Sequence, residues 1–206
     1  MIGKMLDNEQ LGYFSTAASF IGIATFIPSI MVQTVSPILI RKKKESEELY
    51  KTQSQKLMNI TTWSTLLVSC FMSGFSYYII RYTYGVEYLA AVTAMQILSF
   101  KAVGVALTVM GGQLIVIENI HQIAFIRNIM SCFVCVICNY LFIPRWGIIG
   151  SAWATIITVM FTGGFSNIFI PRYHHIFKMQ CKALLCGWKD LFNLVHRKNE
   201  KIFINH

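Results

Sequence analysis

The sequence predicts an all-α polytopic membrane protein. Three observations carry that prediction: an excess of apolar residues, a shortage of charge, and the gathering of the apolar residues into five long runs. Of 206 residues, 55% are hydrophobic and 13% are charged, where an ordinary soluble domain carries about 25% charge. The runs span 11–40, 57–80, 88–117, 123–143 and 146–171. Each reaches the roughly 20 residues needed to cross a hydrocarbon core about 30 Å thick, and each is too long for a core strand. A membrane barrel would show short alternating segments, whereas these runs are continuously apolar. The reading is therefore a membrane bundle over 1–171 and a separate tail over 172–206, and a soluble globular enzyme is a poor fit.

Taken in order, Asp7-Asn8-Glu9-Gln10 is a polar cluster that starts the first helix, and no apolar stretch of a signal peptide precedes it. The first span carries a small or polar stripe at Gly12, Ser15, Thr16, Ser19 and Gly22, the pattern that lets membrane helices approach closely. Pro28 should kink it, and Pro37 lies near its end. Residues 41–56 read as a solvated basic loop, in which Glu45, Glu47 and Glu48 lie among Arg41, Lys42, Lys43, Lys44, Lys51 and Lys56. The second span is bounded by Trp63 on one side and by Tyr77, Tyr78, Tyr82 and Tyr84 on the other, as an interfacial aromatic belt should be. The turn Tyr84-Gly85-Val86-Glu87-Tyr88 that follows is too short to hold a domain.

The third span contains Lys101, thirteen residues from Tyr88 and sixteen from Ile117. At about 1.5 Å per residue the nearer interface is roughly 20 Å away, beyond the reach of a lysine stem of about 6 Å. A charge at that depth costs at least about 2.5 kcal/mol, so Lys101 should face protein or water. Gly104, Val105, Thr108 and Gly112 share its helical face and can line a cleft. The fourth span places Asn128, Ser131, Cys132, Cys135 and Asn139 at i, i+3, i+4, i+7 and i+11. Helix packing is the favoured use of that face, with cavity lining as the alternative. The fifth span offers Gly147, Gly150 and Ala154 as close-contact positions. Beyond Pro171, apolar clusters alternate with lysines, the pattern of a basic amphipathic helix on an anionic membrane surface.

The net charge of +9 is first a topology signal. The basic residues concentrate in 41–56 and in the tail, which lie on one side if five helices run in series, so the positive-inside rule places both in the cytoplasm. A nucleic-acid surface would interleave aromatics with the cations on one folded face, which is absent here. The six cysteines lie in or beside the membrane runs and do not suggest a disulfide framework. The spacing of Cys132, Cys135 and Cys138 resembles a cluster-binding run, but no fourth ligand accompanies it, so neither a metal nor another cofactor is expected.

Several stretches then take on a family likeness. "LGYFSTAASF", "FIPSIMVQTVSPILIRKKKESEELY", "YGVEYLAAVTAMQILSF" and "NYLFIPRWGIIGSAWATIIT", in this order and spacing, resemble the C-terminal half of bacterial O-antigen flippases of the Wzx type. These belong to the multidrug/oligosaccharidyl-lipid/polysaccharide exporter superfamily, and the resemblance covers roughly residues 1–185. It implies two six-helix bundles around a central cavity that opens alternately to either side of the inner membrane and carries an undecaprenyl-pyrophosphate-linked sugar unit outward. The five spans would be helices eight to twelve of that fold, with residues 1–6 the outer end of helix seven. Cys135 stands where many relatives have a second asparagine, four residues before Asn139.

The expectation is thus the C-terminal lobe of a lipid-linked oligosaccharide flippase, working with an N-terminal bundle and membrane lipids. Lys101, Thr108, Asn128, Asn139 and Arg81 are the candidate cavity residues, with Lys101 offering positive charge to a pyrophosphate or acidic sugar. A multidrug or cation exporter of the same superfamily is the alternative, although coupling to protons or sodium would call for intramembrane carboxylates, and Glu118 lies only at a boundary. A non-functional truncated remnant is a further alternative. An enzyme is not expected, because the short loops opposite the basic segments hold Arg81, Glu87 and Arg145 but no histidine.

Overall fold

The computed structural model describes residues 7–120 and 124–190 of the chain. Among them are helices and short connecting turns, with no strand. Asp7 holds extended backbone and α1 runs from Asn8–Glu45, through both Pro28 and Pro37, to Ser46, which is again extended. Its hydroxyls turn back onto their own helix: Ser15 donates to the Leu11 carbonyl at 2.6 Å, Ser19 to Ser15 at 2.9 Å and Ser29 to Thr25 at 3.1 Å. In hydrocarbon, such internal bonds replace those that water would supply.

Helix α2, Glu47–Thr83, begins one residue after α1 ends. Residues 41–56, expected as a solvated loop, are therefore helical on both sides of Ser46. The reason lies in charge spacing. Arg41 and Lys42 reach Glu45 at 3.3 and 2.7 Å, and Lys51 reaches Glu47 at 3.6 Å. Pairs three and four residues apart support a helical surface by about 0.2–0.5 kcal/mol each, and both flanking spans propagate into the segment.

The inward face of α2 is lined by hydroxyls. Ser54, Thr61, Thr62, Thr65, Ser69 and Ser76 are buried, while Leu67, Phe71, Phe75 and Tyr78 point outward. This reverses the soluble pattern: lipid already solvates apolar side chains, so small residues are placed where helices meet.

A single turn of 3-10 helix, Val86–Tyr88, leads to the third crossing, a helical stretch over Ala91–Ile117 that carries one irregular residue. It breaks into α3, Ala91–Ser99, and α4, Lys101–Ile117, at Phe100. Helix α5, Ala124–Met160, contains the fourth crossing and most of the fifth, and Gly147 within it has φ 55° and ψ −131°. The chain reverses there. Gly150 lies so close to Phe142 that an added Cβ would stand 2.2 Å from its carbonyl oxygen, and Ser151 reaches Asn139 at 3.4 Å across the turn. In a straight helix Asn139 and Ser151 would be about 18 Å apart. The fifth crossing finishes in a π-helical turn, Phe161–Phe165, and α6, Ser166–Phe169. A 3-10 turn, Pro171–Tyr173, then leads into α7, His174–Cys186.

Among the described residues, four helical stretches are long and apolar enough to cross a membrane, ending at Glu45, Thr83, Ile117 and Phe169. The last divides at Gly147 into two limbs, so the five sequence runs correspond to five crossings of an all-α polytopic membrane protein. The core has two centres. One, at the end carrying the basic residues, joins Val32, Met58, Met110, Leu114, Tyr173 and Ile176; the other joins Ala17, Ile21, Ile80, Ala94, Met95 and Ala152.

Helix α7 is docked on the bundle. Ile176, Gln180 and Ala183 are buried, whereas Leu184, Leu185 and Trp188 remain exposed. Trp63 of α2 donates to the Ala183 carbonyl at 2.9 Å, and Gln55 donates to Met179 at 3.0 Å. The amphipathic helix read from the sequence thus turns its inner side to protein rather than resting wholly on the bilayer. Tail residues 191–206, including Leu191, Phe192, Leu194 and Val195, lie outside the described residues, as do residues 1–6 and 121–123.

Gly150→Ala would push a methyl group into the Phe142 carbonyl. It should lower stability by about 2 kcal/mol, within the range for overpacking, while Gly74→Ala, with open space at that position, should leave it unchanged or slightly raised. Thermal unfolding of the two variants in micelles checks this.

Candidate functional site

The strongest candidate from the sequence, Lys101, sits one residue past the break between α3 and α4. The break has a clear hydrogen-bond logic. In a continuous helix the Val103 N–H would bond to the Ser99 carbonyl. Here it bonds to Phe100 at 3.2 Å, and the Phe100 N–H bonds to Ile97 at 3.2 Å. The Ser99 carbonyl is freed deep in the membrane region, and the Ser69 hydroxyl of α2 donates to it at 2.8 Å. Ser99 and Ser69 are both fully buried. A hydroxyl on the neighbouring helix thus makes the break tolerable in hydrocarbon.

Lys101 itself is half-buried, and among the described residues its ammonium enters no ion pair or side-chain hydrogen bond. Val105, Thr108 and Gly112 on its face are half-buried too, but Gly104 is covered. A Cβ at Gly104 would lie 2.9 Å from Val159, and one at Gly163 would lie 2.7 Å from the Thr108 hydroxyl and 3.0 Å from the Gly104 carbonyl. The small residues that were expected to line a cleft therefore also admit the π-helical turn to close backbone contact. Thr108 donates to Gly104 at 2.8 Å. One flank of Lys101 is packed, and the other continues as a half-open strip toward Gly112.

The π-helical turn is itself held from α7. Gln180 donates to the Gly163 carbonyl at 2.6 Å and to Leu107 at 3.1 Å, and accepts from Asn167 at 3.1 Å. A π turn widens the helix and exposes carbonyls to such side-chain donors.

The fourth crossing is rotated relative to its sequence reading. Asn128 is exposed and Arg127 is buried, with Ser131, Asn139 and Ile143 continuing the inward face. Two guanidinium nitrogens of Arg127, Nε and Nη1, have no hydrogen-bond partner among the described residues. Tyr173 lies nearby and donates to the Ile120 carbonyl at 2.9 Å; burial pushes its phenol above the ordinary value, while Arg127 and Arg172 pull it down. Arg127 and Lys101 are the two formally charged residues within the five apolar runs, and that is the sequence signal for Arg127.

Asn139 is buried between the limbs of the hairpin, donating to the Cys135 carbonyl at 2.8 Å and receiving Ser151. Arg81 is exposed at the far end of α2, donating to the Tyr77 hydroxyl at 3.0 Å and lying over that ring. No hydrogen bond among the described residues joins any two of Lys101, Thr108, Asn128, Asn139 and Arg81. Lys101 and Thr108 share a helix face; the other three are a packing residue and two exposed ones. The six cysteines are free, and among the described residues no three histidine, cysteine or acidic side chains converge as a metal site would require.

At the basic end, Glu118 receives the Tyr50 hydroxyl at 3.1 Å and lies 2.8 Å from His175, and Lys43 donates to the Ile117 carbonyl at 2.8 Å. This network ties the α1–α2 corner, the end of α4 and the start of α7 together.

Ser69→Ala should cost about 1–3 kcal/mol, the penalty of a buried carbonyl left without a donor. Ser76→Ala should cost much less, because Ser76 donates only to Ser73 of its own helix. Thermal unfolding midpoints of the two variants decide it. Compared with known protein families, curated proteins and solved structures, this chain has no match.

Proposed function

We propose that this chain is one bundle of a flippase that moves a lipid-linked oligosaccharide, carried on a pyrophosphate, across the bacterial inner membrane by alternating access. One observation carries the reading: Lys101 is a half-buried cation in the middle of a crossing, at a helix break, with no anionic partner among the described residues. Placing a charge there is costly, and intramembrane ionisable residues usually mark a substrate or ion path. Its sign suits a pyrophosphate or an acidic sugar.

In this reading the basic end faces the cytoplasm, as the lysine-rich α1–α2 corner and α7 favour. Alternating access requires a second bundle rocking against this one, so the N-terminal half of the transporter is its first partner and the lipid-linked sugar its cargo. The chemistry asked of the chain is binding and release, with no bond made or broken. An exporter of cations would be served poorly by a lysine at this depth.

In a complete two-bundle transporter, Lys101→Ala should reduce surface polysaccharide at least tenfold, and Lys101→Arg should retain most of it. Immunoblotting of surface polysaccharide, with transporter abundance measured in the same membranes, is the test. Normal export by Lys101→Ala at normal abundance would remove Lys101 from the mechanism.

A further inference from the structure

A cleft of about 640 Å³ opens between α2 and α7 at the basic end. Its cations come from two elements: Lys51 and Lys56 from α2, and Lys182 from α7. Lys51 lies 3.6 Å from Glu47. Lys56 and Lys182 are exposed and form no ion pair among the described residues. The carboxylate in the cleft, Asp190, is engaged by the Asn59 amide, and Asn59 is in turn fixed by Gln55 at 2.7 Å. The histidine on its wall, His175, is directed to Glu118. The local balance is positive, with two free ammonium groups beside a floor of ordered amides.

The height of the cleft is set by sequence. On α2 it spans the change from the charged stretch that ends at Lys56 to the apolar run that begins at Leu57, which is where lipid headgroups lie. Trp63, bonded to the Ala183 carbonyl just beyond it, is the kind of residue that settles at that level. Beside Lys182, the outer side of α7 presents Leu185, 77% exposed, and Trp188, just past the end of the helix, is 51% exposed. A soluble protein would not display such residues on a docked helix, whereas acyl chains would cover them. Basic pockets between membrane helices take anionic headgroups in this way.

We infer that the α2–α7 cleft is a binding site for the phosphate head of an anionic phospholipid, held by Lys56 and Lys182 with its acyl chains along Leu185 and Trp188. The site is independent of the transport reading and of Lys101. By bridging α2 and α7, a bound lipid would secure the docking of α7, and through Gln180 the turn that packs beside Thr108.

Native mass spectrometry of the full chain in micelles tests it, with phosphatidylglycerol, phosphatidylcholine and inorganic pyrophosphate as separate probes. The expected result is one saturable phosphatidylglycerol site, at least tenfold tighter than phosphatidylcholine binding. Lys56→Gln with Lys182→Gln should weaken it at least tenfold, and Arg41→Gln with Lys44→Gln, an equal loss of charge from the exposed corner, less than twofold. Phosphatidylglycerol retained in millimolar pyrophosphate supports the lipid as the source. Pyrophosphate that binds alone and displaces the lipid overturns that assignment in favour of a soluble phosphate. Equal weakening by the two double variants, or equal affinity for the two lipids, overturns the site altogether.

Discussion

Every backbone donor and acceptor in a hydrocarbon core must find its partner within the protein, and the arrangement of this bundle follows from that constraint. Long helices meet it along most of their length, and α2 runs far beyond the membrane thickness with no proline in it, whereas α1 gives up two ladder bonds at Pro28 and Pro37. At two departures from the straight α-helix a side chain supplies a bond to the carbonyl involved. Ser69 does so for the Ser99 carbonyl at the break before Lys101, and Gln180 and Asn167 do so for Gly163 in the π turn. The irregular positions are thus the places where elements distant in sequence are bound together. The half-buried lysine follows one of them, and its position rests on a serine thirty-two residues earlier.

The same constraint orders the packing. In water, burial of apolar surface would drive large side chains inward; here lipid removes that drive, and close contact between backbones decides. Glycine at 104, 150 and 163 marks points where an added methyl group would strike a neighbour. The hydroxyl face of α2 serves the same end, because serine and threonine are small and can return their protons to their own helix. On α2 the aromatics Phe71, Phe75 and Tyr78 are left to the outside.

How much of this could be read from the sequence differs by level. The five crossings were legible because length and hydropathy alone define them, and the turn between the last two could be located at Pro144-Arg145-Trp146-Gly147. Which side of each helix faces inward was not. In a run that is apolar all round, a one-residue rotation changes little in periodicity, so the fourth crossing presents Arg127 inward where the polar residues at Asn128 and Cys132 suggested otherwise. The break at Phe100 has no proline or glycine to announce it, and the carbonyl it frees is satisfied by a hydroxyl on another helix. The helical corner at 41–56 could have been foreseen, since Glu45 and Glu47 stand four residues from Arg41 and Lys51. The docking of α7 had a weaker signal in Gln180, a neutral polar residue between apolar neighbours.

The tight reversal at Gly147 bears on how the protein enters its membrane. The two limbs it joins contact one another within a few residues of the turn, through Phe142 with Gly150 and Asn139 with Ser151. A corner so short leaves no slack for one limb to settle across the bilayer while the other waits in water. Arg145, at its tip, must travel with both. The tight corner thus couples the last two crossings, so that they suit insertion as a helical hairpin.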